Sequence, residues 1–397
     1  MRILYVSAAL PPTEVPEADL ALRQCLHLAE AGHDVHVLTT DSHAEVVVPG
    51  ITIHPIARSW GWSDAPTIWR LLRTLRPDGL LIYFLGTLYN YKAFPTLLPV
   101  LGRLVGATPV TEFSNLGSGG DETARLRRLV FRLLGPFRYG ALLPVSHRLV
   151  VLSDLHRRRL GAISRRAAAK AVVVPAPNLL HGATDPTAAR CDRRRSLGMG
   201  DGDPLIAFIG RLYPGKGVEE LIEALPKIRA VHPEARLVLI GGALSSEHYW
   251  ITHEDYGARI DALISKAGLD DAVVRTGEFD WHDSLPSEYL HAADVCVLPL
   301  EAGVYLYNSS LAAAASHRLP LVVSAGEPAE GEVIDGVNAL VLRERSPEAI
   351  AGAVLAILED PDLAARLRRG AGALADVWFS WESAIAKLEG ALAGGSE

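Results

Sequence analysis

The stretch Ile206-Ala207-Phe208-Ile209-Gly210-Arg211, followed by Leu-Tyr-Pro-Gly and then Lys216-Gly217-Val218, decides the fold of this chain. Its apolar, β-branched first part is typical of a buried parallel strand, and the turn after it leads into an amphipathic stretch over 218–228. The pattern is therefore strand, turn, helix. Arg211 and Lys216 lie in the turn, where the helix N-terminus also directs free N–H groups outward.

Two cations and a helix N-terminus at one strand end form a site for a doubly charged anion. A diphosphate is the obvious candidate, because its oxygens accept hydrogen bonds from both kinds of donor. The alternative is an ordinary strand-to-helix turn with two solvated cations, since turns often carry Lys and Arg. The spacing alone leaves both interpretations open.

Composition indicates a protein of two domains. The chain has 397 residues, and a typical domain has roughly 100–200. A hydrophobic share of 49% with 21% charged residues is typical of a soluble globular protein, and the formal charge of −7 argues against a nucleic-acid partner. Three scattered cysteines (Cys25, Cys191, Cys296) are predicted to be reduced core residues. No signal-peptide pattern and no run of ~18 uncharged residues is present, so we expect a cytoplasmic protein.

The segment 125–170 is strongly basic. Between Thr123 and Lys170 the acidic residue is Asp154, whereas twelve residues are basic: Arg125, Arg127, Arg128, Arg132, Arg138, Arg148, Arg157, Arg158, Arg159, Arg165, Arg166 and Lys170. A basic segment with interleaved leucines can lie on an anionic membrane, which makes peripheral contact at the inner membrane surface one hypothesis. The alternative, which the pattern favours, is a solvated arginine face with the leucines in the core.

Strands and helices alternate in two similar halves, which predicts parallel sheets covered by helices on both faces. Seven strands are predicted in the first half and six in the second, the latter from Leu205–Ile209 to Ala339–Leu342. The segment 175–202 is rich in proline and charge, and we predict that it is the linker. The fold class is therefore α/β, with two doubly wound Rossmann-like domains facing one cleft.

Two further strand ends in the second half carry polar or glycine residues. Gly277-Glu278-Phe279 follows one strand, and a second strand is followed by Glu301 and Gly303-Val304. A carboxylate at a strand end can accept hydrogen bonds from sugar hydroxyls, and backbone N–H groups beside a glycine can approach a ligand closely. Ser309 or Ser310 is a natural N-cap for the helix that comes next.

With these motifs the chain resembles the GT-B glycosyltransferases of the retaining family GT4, also called glycosyltransferase group 1. The matching residues are Gly210-Arg211, Lys216-Gly217, Gly277, Ala293-Asp294-Val295, Leu298-Pro299, the region from Glu301 through Leu319-Pro320-Leu321-Val322-Val323, Glu332-Val333-Ile334-Asp335-Gly336-Val337-Asn338, and Phe379-Ser380-Trp381-Glu382. The resemblance extends over almost the whole chain, and its motifs are stronger in the second half.

The resemblance implies a GT-B arrangement of domains. An N-terminal Rossmann-like, acceptor-side domain would occupy 1–178, followed by a linker over 179–203. A C-terminal domain over 204–376 would bind the nucleotide sugar, and the helix in 377–397 would pack back on the first domain.

The same resemblance implies a retaining, metal-independent glycosyltransferase of the hexosyltransferase type. It would move a sugar from a nucleotide-diphosphate sugar to an unknown acceptor, which is a small molecule, a glycan or a lipid-linked sugar. Arg211 and Lys216 would stabilise the diphosphate leaving group, and Glu301 would hold the sugar. The implied donor-binding residues are Gly210, Gly277, Glu278, Phe279, Gly303, Val304, Tyr305, Ser309, Ser310 and Leu311. No metal and no cofactor other than the nucleotide-sugar co-substrate is implied.

The chain departs from the family pattern at several positions. The family often has a second glutamate after the one that corresponds to Glu301, but here Ser309 or Ala313 stands at its position. Some branches of the family also lack it and carry the pattern Gly-Val-x-Leu-x-x-x-Ser-Leu. This chain has that pattern from Gly303 to Leu311, with one extra serine. The loop after the first strand has no glycine pair to approach the phosphates, which makes Glu14 in that loop an acceptor-side candidate. Ser114-Asn115 stand where the family often has a histidine, and they are acceptor-side candidates as well. These losses leave a catalytically silent GT-B partner subunit open as an alternative. An enzyme that couples a nucleotide-activated cyclitol to an amine is a further alternative, because the sequence does not separate it from sugar transfer.

Overall fold

A computed structural model describes residues 1–13, 15–114, 116, 139–243, 255–279 and 283–394. The chain divides into two units. The first comprises Met1–Ala176 together with Trp381–Glu397, and the second comprises Pro177–Ser380.

The first unit is built on a seven-stranded sheet in which all neighbouring strands are parallel, in the order β3-β2-β1-β4-β5-β6-β7. The strands are β1 (Arg2–Val6), β2 (Asp34–Thr40), β3 (Thr52–Ala57), β4 (Gly79–Phe84), β5 (Thr108–Phe113), β6 (Arg148–Val151) and β7 (Ala171–Val173). Its described helices before the second unit are α1 (Pro16–Glu30), α2 (Ala65–Leu75), α3 (Leu98–Leu104), α4 (Leu142–Val145), α5 (Asp154–Ile163) and α6 (Arg165–Ala169).

The second unit contains a six-stranded parallel sheet in the order β10-β9-β8-β11-β12-β13. Its strands are β8 (Leu205–Ile209), β9 (Arg236–Ile240), β10 (Val273–Arg275), β11 (Val295–Leu298), β12 (Leu321–Ser324) and β13 (Leu340–Leu342). Its helices are α7 (Pro186–Ser196), α8 (Val218–Arg229), α9 (Tyr256–Lys266), α10 (Leu285–Ala292), α11 (Ser309–Ser316), α12 (Pro347–Glu359) and α13 (Pro361–Trp378).

The strands β4 in the first sheet and β8 in the second are apolar because helices cover both faces of each sheet. Every residue of β4 and of β8 is buried, as expected for strands of a parallel sheet rather than for a half-exposed antiparallel one. The predicted fold class of two doubly wound α/β domains is confirmed.

The last helix, α14 (Trp381–Leu392), belongs to the first unit, as the resemblance implies for 377–397, although residues 377–380 belong to the second unit. It packs against α1, β4, β5 and β6. The Trp381 ring stacks on His27 at 4.4 Å, and Glu389 pairs with His33 Nε2 at 2.7 Å. The final segment therefore completes the cover of the first sheet.

The predicted linker, 175–202 from composition and 179–203 from the resemblance, instead belongs to the second unit from Pro177 onward. It contains α7, which packs against α10 within the second unit. Two of its arginines reach Asp294: Arg190 Nη2 at 2.6 Å and Arg194 Nη1 at 3.3 Å. The charge run that indicated a solvated linker instead forms ion pairs with the domain, and Arg194 is almost completely buried.

Two other expectations from composition are resolved in part. Cys25 and Cys296 are buried, but Cys191 is exposed on α7, so the prediction of three core cysteines is wrong for Cys191. None of the helices in the described ranges is long and apolar enough to cross a bilayer.

The basic segment can be followed only in its second part, because Arg125, Arg127, Arg128, Arg132 and Arg138 lie outside the described residues. On α5, Arg157 and Arg158 both pair with Asp154 while Leu160 is fully buried. This stretch has the solvated arginine face that the alternative interpretation predicts.

A buried carboxyl group lies within the first sheet. Glu112 on β5 is 1% exposed, and both its oxygens accept hydrogen bonds from the Gln24 amide at 3.0 and 3.2 Å. The Tyr5 hydroxyl donates to Gln24 Oε1 at 2.5 Å. Burial raises the pKa of Glu112 to about 7, although the Gln24 hydrogen bond opposes the rise.

This raised pKa predicts a pH-dependent stability of the first unit. An unperturbed glutamate titrates near pH 4.5, so between that pH and about 7 the folded state binds more protons than the unfolded state. The contribution of Glu112 to the free energy of unfolding therefore falls across this window as pH rises, by on the order of 3 kcal/mol. We expect Glu112→Gln to remove that slope, measured by urea unfolding at about pH 5 and about pH 8.

The exposed variant Glu45→Gln is the control and should unfold with the wild-type pH dependence. A Glu112→Gln protein that keeps the full wild-type slope would contradict the assignment.

Candidate functional site

The strand order of the second sheet reverses at β8, which pairs with β9 on one side and β11 on the other. In open α/β sheets, ligands bind outside the carboxyl ends of the strands at such a point, because the two following loops leave in opposite directions. Here the loops are 210–217 after β8 and 299–308 after β11.

The loop after β8 presents the two predicted cations. Arg211 is exposed and has no ion pair within the described residues, and Lys216 is half-buried with its Nζ 4.8 Å from the centre of the Tyr213 ring. Helix α8 begins after Gly217, which has a left-handed φ of 72° and offers no side chain to cap the helix. A Cβ at Gly217 would lie 2.0 Å from the Pro299 carbonyl oxygen, so the two loops meet there.

The acidic residues in the first turn of α8 have other partners. Glu219 accepts a hydrogen bond from Tyr256 and lies 3.6 Å from Arg259, and Glu220 pairs with Arg345 at 3.0 Å. Burial, and then the hydrogen bond to Glu219, raises the pKa of Tyr256. The negative charge beside the helix N-terminus is thus engaged with these groups rather than with Arg211 or Lys216.

Glu301 is placed beside the cationic loop. Its backbone N–H donates to the Gly215 carbonyl at 2.9 Å, and its Oε2 lies 3.1 Å from the position a Cβ on Gly215 would occupy. The side chain is exposed. The structure therefore brings Glu301 together with the loop that carries Arg211 and Lys216.

The backbone N–H groups of the loop after β11 do not point to a ligand. Gly303 N donates to Leu300 O at 2.9 Å and Val304 N to Ser324 O at 3.0 Å. The next two, Tyr305 N and Leu306 N, donate to Asn308 Oδ1 at 2.6 Å and Glu330 Oε2 at 3.1 Å. The expectation that Gly303 and Val304 offer N–H groups to a sugar or phosphate is therefore wrong in this structure, because these groups bond within the chain.

The N-cap of α11 is Asn308, not Ser309 or Ser310 as predicted. Its side chain bonds to Tyr305 N and makes no cap to its own helix. Ser309 is exposed and Ser310 is buried as the first two helical residues, followed by the buried Leu311. Helix α11 thus starts without a side-chain cap, and Ser310 Oγ lies 2.8 Å from where a Cβ on Gly210 would be.

A glycine pair after β9 was missed by the sequence reasoning. A Cβ on Gly241 would lie 2.3 Å from the Gly210 carbonyl oxygen, and one on Gly242 would lie 2.1 Å from Glu278 Cγ. Gly241 also forms a backbone bridge with Gly277. The pair Gly241-Gly242 therefore lies between Gly210 on one side and the predicted donor residues Gly277 and Glu278 on the other. Phe279, the next residue, is half-buried. Two glycines directly after an apolar strand were the available signal.

Glu330 was also missed, and nothing in the sequence distinguishes it from the neighbouring Glu327 and Glu332. It is 5% exposed and accepts from Leu306 N. Beside it, Glu327 N donates to the Tyr305 hydroxyl at 2.9 Å. These contacts tie the loop after β11 to the loop after β12.

The acceptor-side candidates are placed only in part. Glu14 and Asn115 lie outside the described residues. Ser114 follows β5, where it is half-buried and hydrogen-bonds with Tyr83. The loop after β1 packs into the unit, since Leu10 is buried and His43 Nε2 lies 2.9 Å from its carbonyl oxygen. Across the ranges that the structure describes, no three His, Cys, Asp or Glu side chains are grouped to hold a metal ion.

The close approach of two loops predicts a large effect of one methyl group. Gly303 has a φ of 76°, and a Cβ there would lie 2.2 Å from Gly326 N and Cα. We expect Gly303→Ala to lower the free energy of unfolding of the second unit by roughly 2–4 kcal/mol, from left-handed strain and overlap together.

Gly336→Ala is the matched control, because Gly336 has a φ of 70° with no atom within 4 Å of the added Cβ. This variant should lower the free energy of unfolding by about 1 kcal/mol, from left-handed backbone strain alone. Equal losses in the two variants, measured by urea unfolding, would show that the Gly326 contact is not tight.

Residues 190–373 match the family model described as glycosyl transferases group 1. The chain is 26% identical over 303 residues to a protein of Mycobacterium tuberculosis named GDP-mannose-dependent alpha-(1-6)-phosphatidylinositol monomannoside mannosyltransferase, covering 75% of this chain and 73% of that protein. An uncharacterized glycosyltransferase of Methanocaldococcus jannaschii is 26% identical over 182 residues, 45% of this chain, and the match spans only 42% of that relative's length.

The fold has clear counterparts among solved structures. The Anabaena protein HepE, crystallised with UDP, superposes with a TM-score of 0.70 at 17% identity and full coverage of both chains. The resemblance inferred from the sequence is thereby confirmed. The chain has two α/β units of the GT-B fold, and its residues 190–373 match the family model of the group 1 glycosyl transferases.

Proposed function

We propose that this protein is a retaining glycosyltransferase that moves a sugar from a nucleotide-diphosphate sugar to an acceptor hydroxyl. The observation that carries the proposal lies at the switch point of the second sheet. Arg211, Lys216 and the uncapped N-termini of α8 and α11 surround one edge, with Glu301 beside them. Fixed positive charge and free N–H groups at one place fit a diphosphate, and a carboxylate next to them fits sugar hydroxyls.

The proposed chemistry uses this charge to stabilise the leaving group. The bond between the sugar anomeric carbon and the phosphate oxygen breaks, and negative charge grows on the diphosphate as it departs. Arg211 and Lys216 are more strongly attracted to that developing charge than to the ground state, so they lower the barrier. The cations make a metal ion unnecessary in this scheme.

Retention follows if the acceptor attacks the face that the leaving group vacates. The acceptor oxygen then bonds to the anomeric carbon, and its proton passes to a phosphate oxygen of the departing diphosphate. No protein base is needed. Glu301 would accept hydrogen bonds from the hydroxyls of the transferred sugar and hold the ring in place.

The internal hydrogen bonds of the loop after β11 change the role that we assign to it. With the Gly303, Val304 and Tyr305 N–H groups engaged, the loop acts as a support for Glu301 and for the start of α11. We propose that the first N–H groups of α11, at Ser309, Ser310 and Leu311, bind the phosphates. Gly241 and Gly277, with Glu278 and Phe279, would lie beside the base.

The relatives support a nucleotide-diphosphate donor without fixing its base. The Mycobacterium tuberculosis relative is named for its dependence on GDP-mannose, and Anabaena HepE was solved with UDP. Both ligands share a diphosphate, which is the part that the cations of this chain would bind.

We propose in addition that the first unit makes peripheral contact with anionic membranes. Arg103 Nε donates to the Val145 carbonyl at 2.8 Å and Lys170 Nζ to the Pro144 carbonyl at 3.3 Å, so both cations lie beside the turn that leads to His147 and Arg148. Burial and then the charges of Arg148, Arg103 and Lys170 lower the pKa of His147. Leu104 next to Arg103 is 68% exposed. An apolar side chain flanked by cations suits an anionic lipid surface, and a lipid-linked acceptor would be presented there.

A flotation experiment tests the membrane proposal. Arg103→Glu with Leu104→Ser should reduce binding to vesicles containing phosphatidylserine by on the order of tenfold, because each surface cation contributes about 1 kcal/mol. Arg195→Glu on α7, an exposed site of the second unit, should bind as the wild type does. Equal flotation of both variants, or equal binding to neutral vesicles, would rule the contact out.

A catalytically silent partner subunit is the second candidate. The observation that favours it is the packed, glycine-free loop after β1, together with the absence of a second glutamate at Ser309 or Ala313. It differs from the main proposal in a measurable way, since Arg211→Ala and Lys216→Ala would leave its biological role intact. Transfer of an activated cyclitol to an amine would use the same donor site. It is distinguished from sugar transfer by the acceptor that reacts.

Substitution of the two cations tests the main proposal. Arg211→Ala and Lys216→Ala should each lower kcat/KM by roughly 10²–10³, because each removes charge stabilisation specific to the transition state. The control Lys227→Ala lies on the same domain at an exposed ion pair with Glu348 and should be unaffected.

Donor binding is measured first, by thermal shift against UDP-, GDP-, ADP- and dTDP-linked sugars. A bound donor at about 100 times its Kd stabilises the protein by roughly 2.7 kcal/mol. If none of these compounds raises the Tm of the wild type, the proposed function is wrong.

A further inference from the structure

Two exposed aromatic side chains lie on the first unit. Trp62 and Tyr91 are 65% and 67% exposed. Trp62 follows β3 and Tyr91 follows β4, so both lie in loops at the carboxyl edge of the sheet. We call these two side chains the aromatic pair.

The two loops meet above the ends of β1 and β2. The Trp60 ring lies 4.8 Å from Tyr89, and the Trp62 ring 5.9 Å from Phe94. Trp60 Nε1 donates to Thr40 Oγ1 at 3.1 Å, and Tyr89 donates to the Tyr83 carbonyl at 2.8 Å. The exposed Trp62 therefore packs against the buried Phe94, and the loop that carries Tyr91 is held to the loop that carries Trp62 by the contact between Tyr89 and Trp60.

Each exposed ring is held by a rigid loop. Asp64 is buried and accepts from Arg58 N and Ser59 N at 3.2 and 2.9 Å, which fixes the turn before Trp62. Tyr91 N donates to Gly86 O at 2.8 Å, and the Tyr91 ring lies 3.2 Å from where a Cβ on Gly86 would be. Keeping two large rings in water costs the free energy that burying them would release.

The surroundings of the pair are polar. Ser59 and Ser63 flank Trp62, and Asn90 and Lys92 flank Tyr91; all four are exposed. A purely apolar partner would remove water from these groups and leave their hydrogen bonds unmade. A sugar ring suits both features, because it has a face of C–H groups for an aromatic ring and hydroxyls at its rim.

We propose that the aromatic pair binds a sugar ring of the acceptor, which makes the acceptor a glycoside. The C–H face of the ring would stack on Trp62 or Tyr91, and its hydroxyls would bond to Ser63, Asn90 and Lys92. The site lies at the carboxyl edge of a doubly wound sheet, where ligands of such sheets bind. This inference rests on the proposed transfer reaction only in calling the bound glycoside an acceptor.

Fluorine NMR of the full chain labelled with 5-fluorotryptophan reads the site directly. The chain has seven tryptophans, and loss of one signal in Trp62→Phe assigns the signal of Trp62. The probes are methyl α-D-mannopyranoside, methyl α-D-glucopyranoside and methyl β-maltoside, each up to ~100 mM, because single sugar rings bind with Kd on the order of 1 mM or weaker. Sorbitol, an open-chain polyol without a ring face, is the control ligand.

We expect at least one glycoside to shift the Trp62 signal in a saturable way, while the other six signals and the sorbitol titration stay unchanged. Tyr91→Ala should raise the Kd by at least about fivefold, whereas Tyr91→Phe keeps the ring and should stay within about twofold. No saturable shift with any of the three glycosides, or the same shift with sorbitol, would overturn the proposal.

A thermal shift with the same UDP-, GDP-, ADP- and dTDP-linked sugars on these samples separates this inference from the proposed function. Nucleotide binding without a glycoside response refutes the aromatic site and leaves the transferase proposal standing. A glycoside response without any nucleotide response refutes the transferase proposal and leaves the aromatic site standing.

Discussion

Four consecutive backbone N–H groups after β11 bond within the protein, and the candidate donor site depends on this constraint. The acceptors are Leu300 O, Ser324 O, Asn308 Oδ1 and Glu330 Oε2. A buried N–H group without an acceptor costs about 1–3 kcal/mol, so a loop that satisfies all four has little freedom to move. Because Asn308 uses its side chain in this loop, it does not cap α11, and the helix begins without a side-chain cap.

Most of the fold could be predicted from the sequence, because parallel strands covered on both faces are continuous apolar runs such as Leu205–Ile209. The return of the last helix came from the family resemblance, and the order of the strands in each sheet was not predicted. Helix α7 could not be predicted from composition. Its arginines appear solvated in the sequence, yet Arg190 and Arg194 pair with Asp294, about a hundred positions later. Long-range ion pairs of this kind leave no local pattern.

The candidate site was predictable for residues whose place depends only on their position directly after a strand. Arg211, Lys216 and Glu301 follow strand ends, and the structure brings their loops together. The direction of individual N–H groups was not predictable, since it depends on partners such as Ser324 and Glu330 on another loop. Gly241-Gly242 carried a readable signal, a glycine pair after an apolar strand, whereas Glu330 carried none.

The membership of α14 in the first unit has a consequence for how the chain is made. The polypeptide leaves that unit at Ala176, forms all of the second unit, and returns at Trp381. On the ribosome, the second unit therefore has its entire sequence available before the first unit receives the helix that covers β4, β5 and β6. The part of the protein that is synthesised first is completed last, and until then an apolar face of its sheet is open to chaperones.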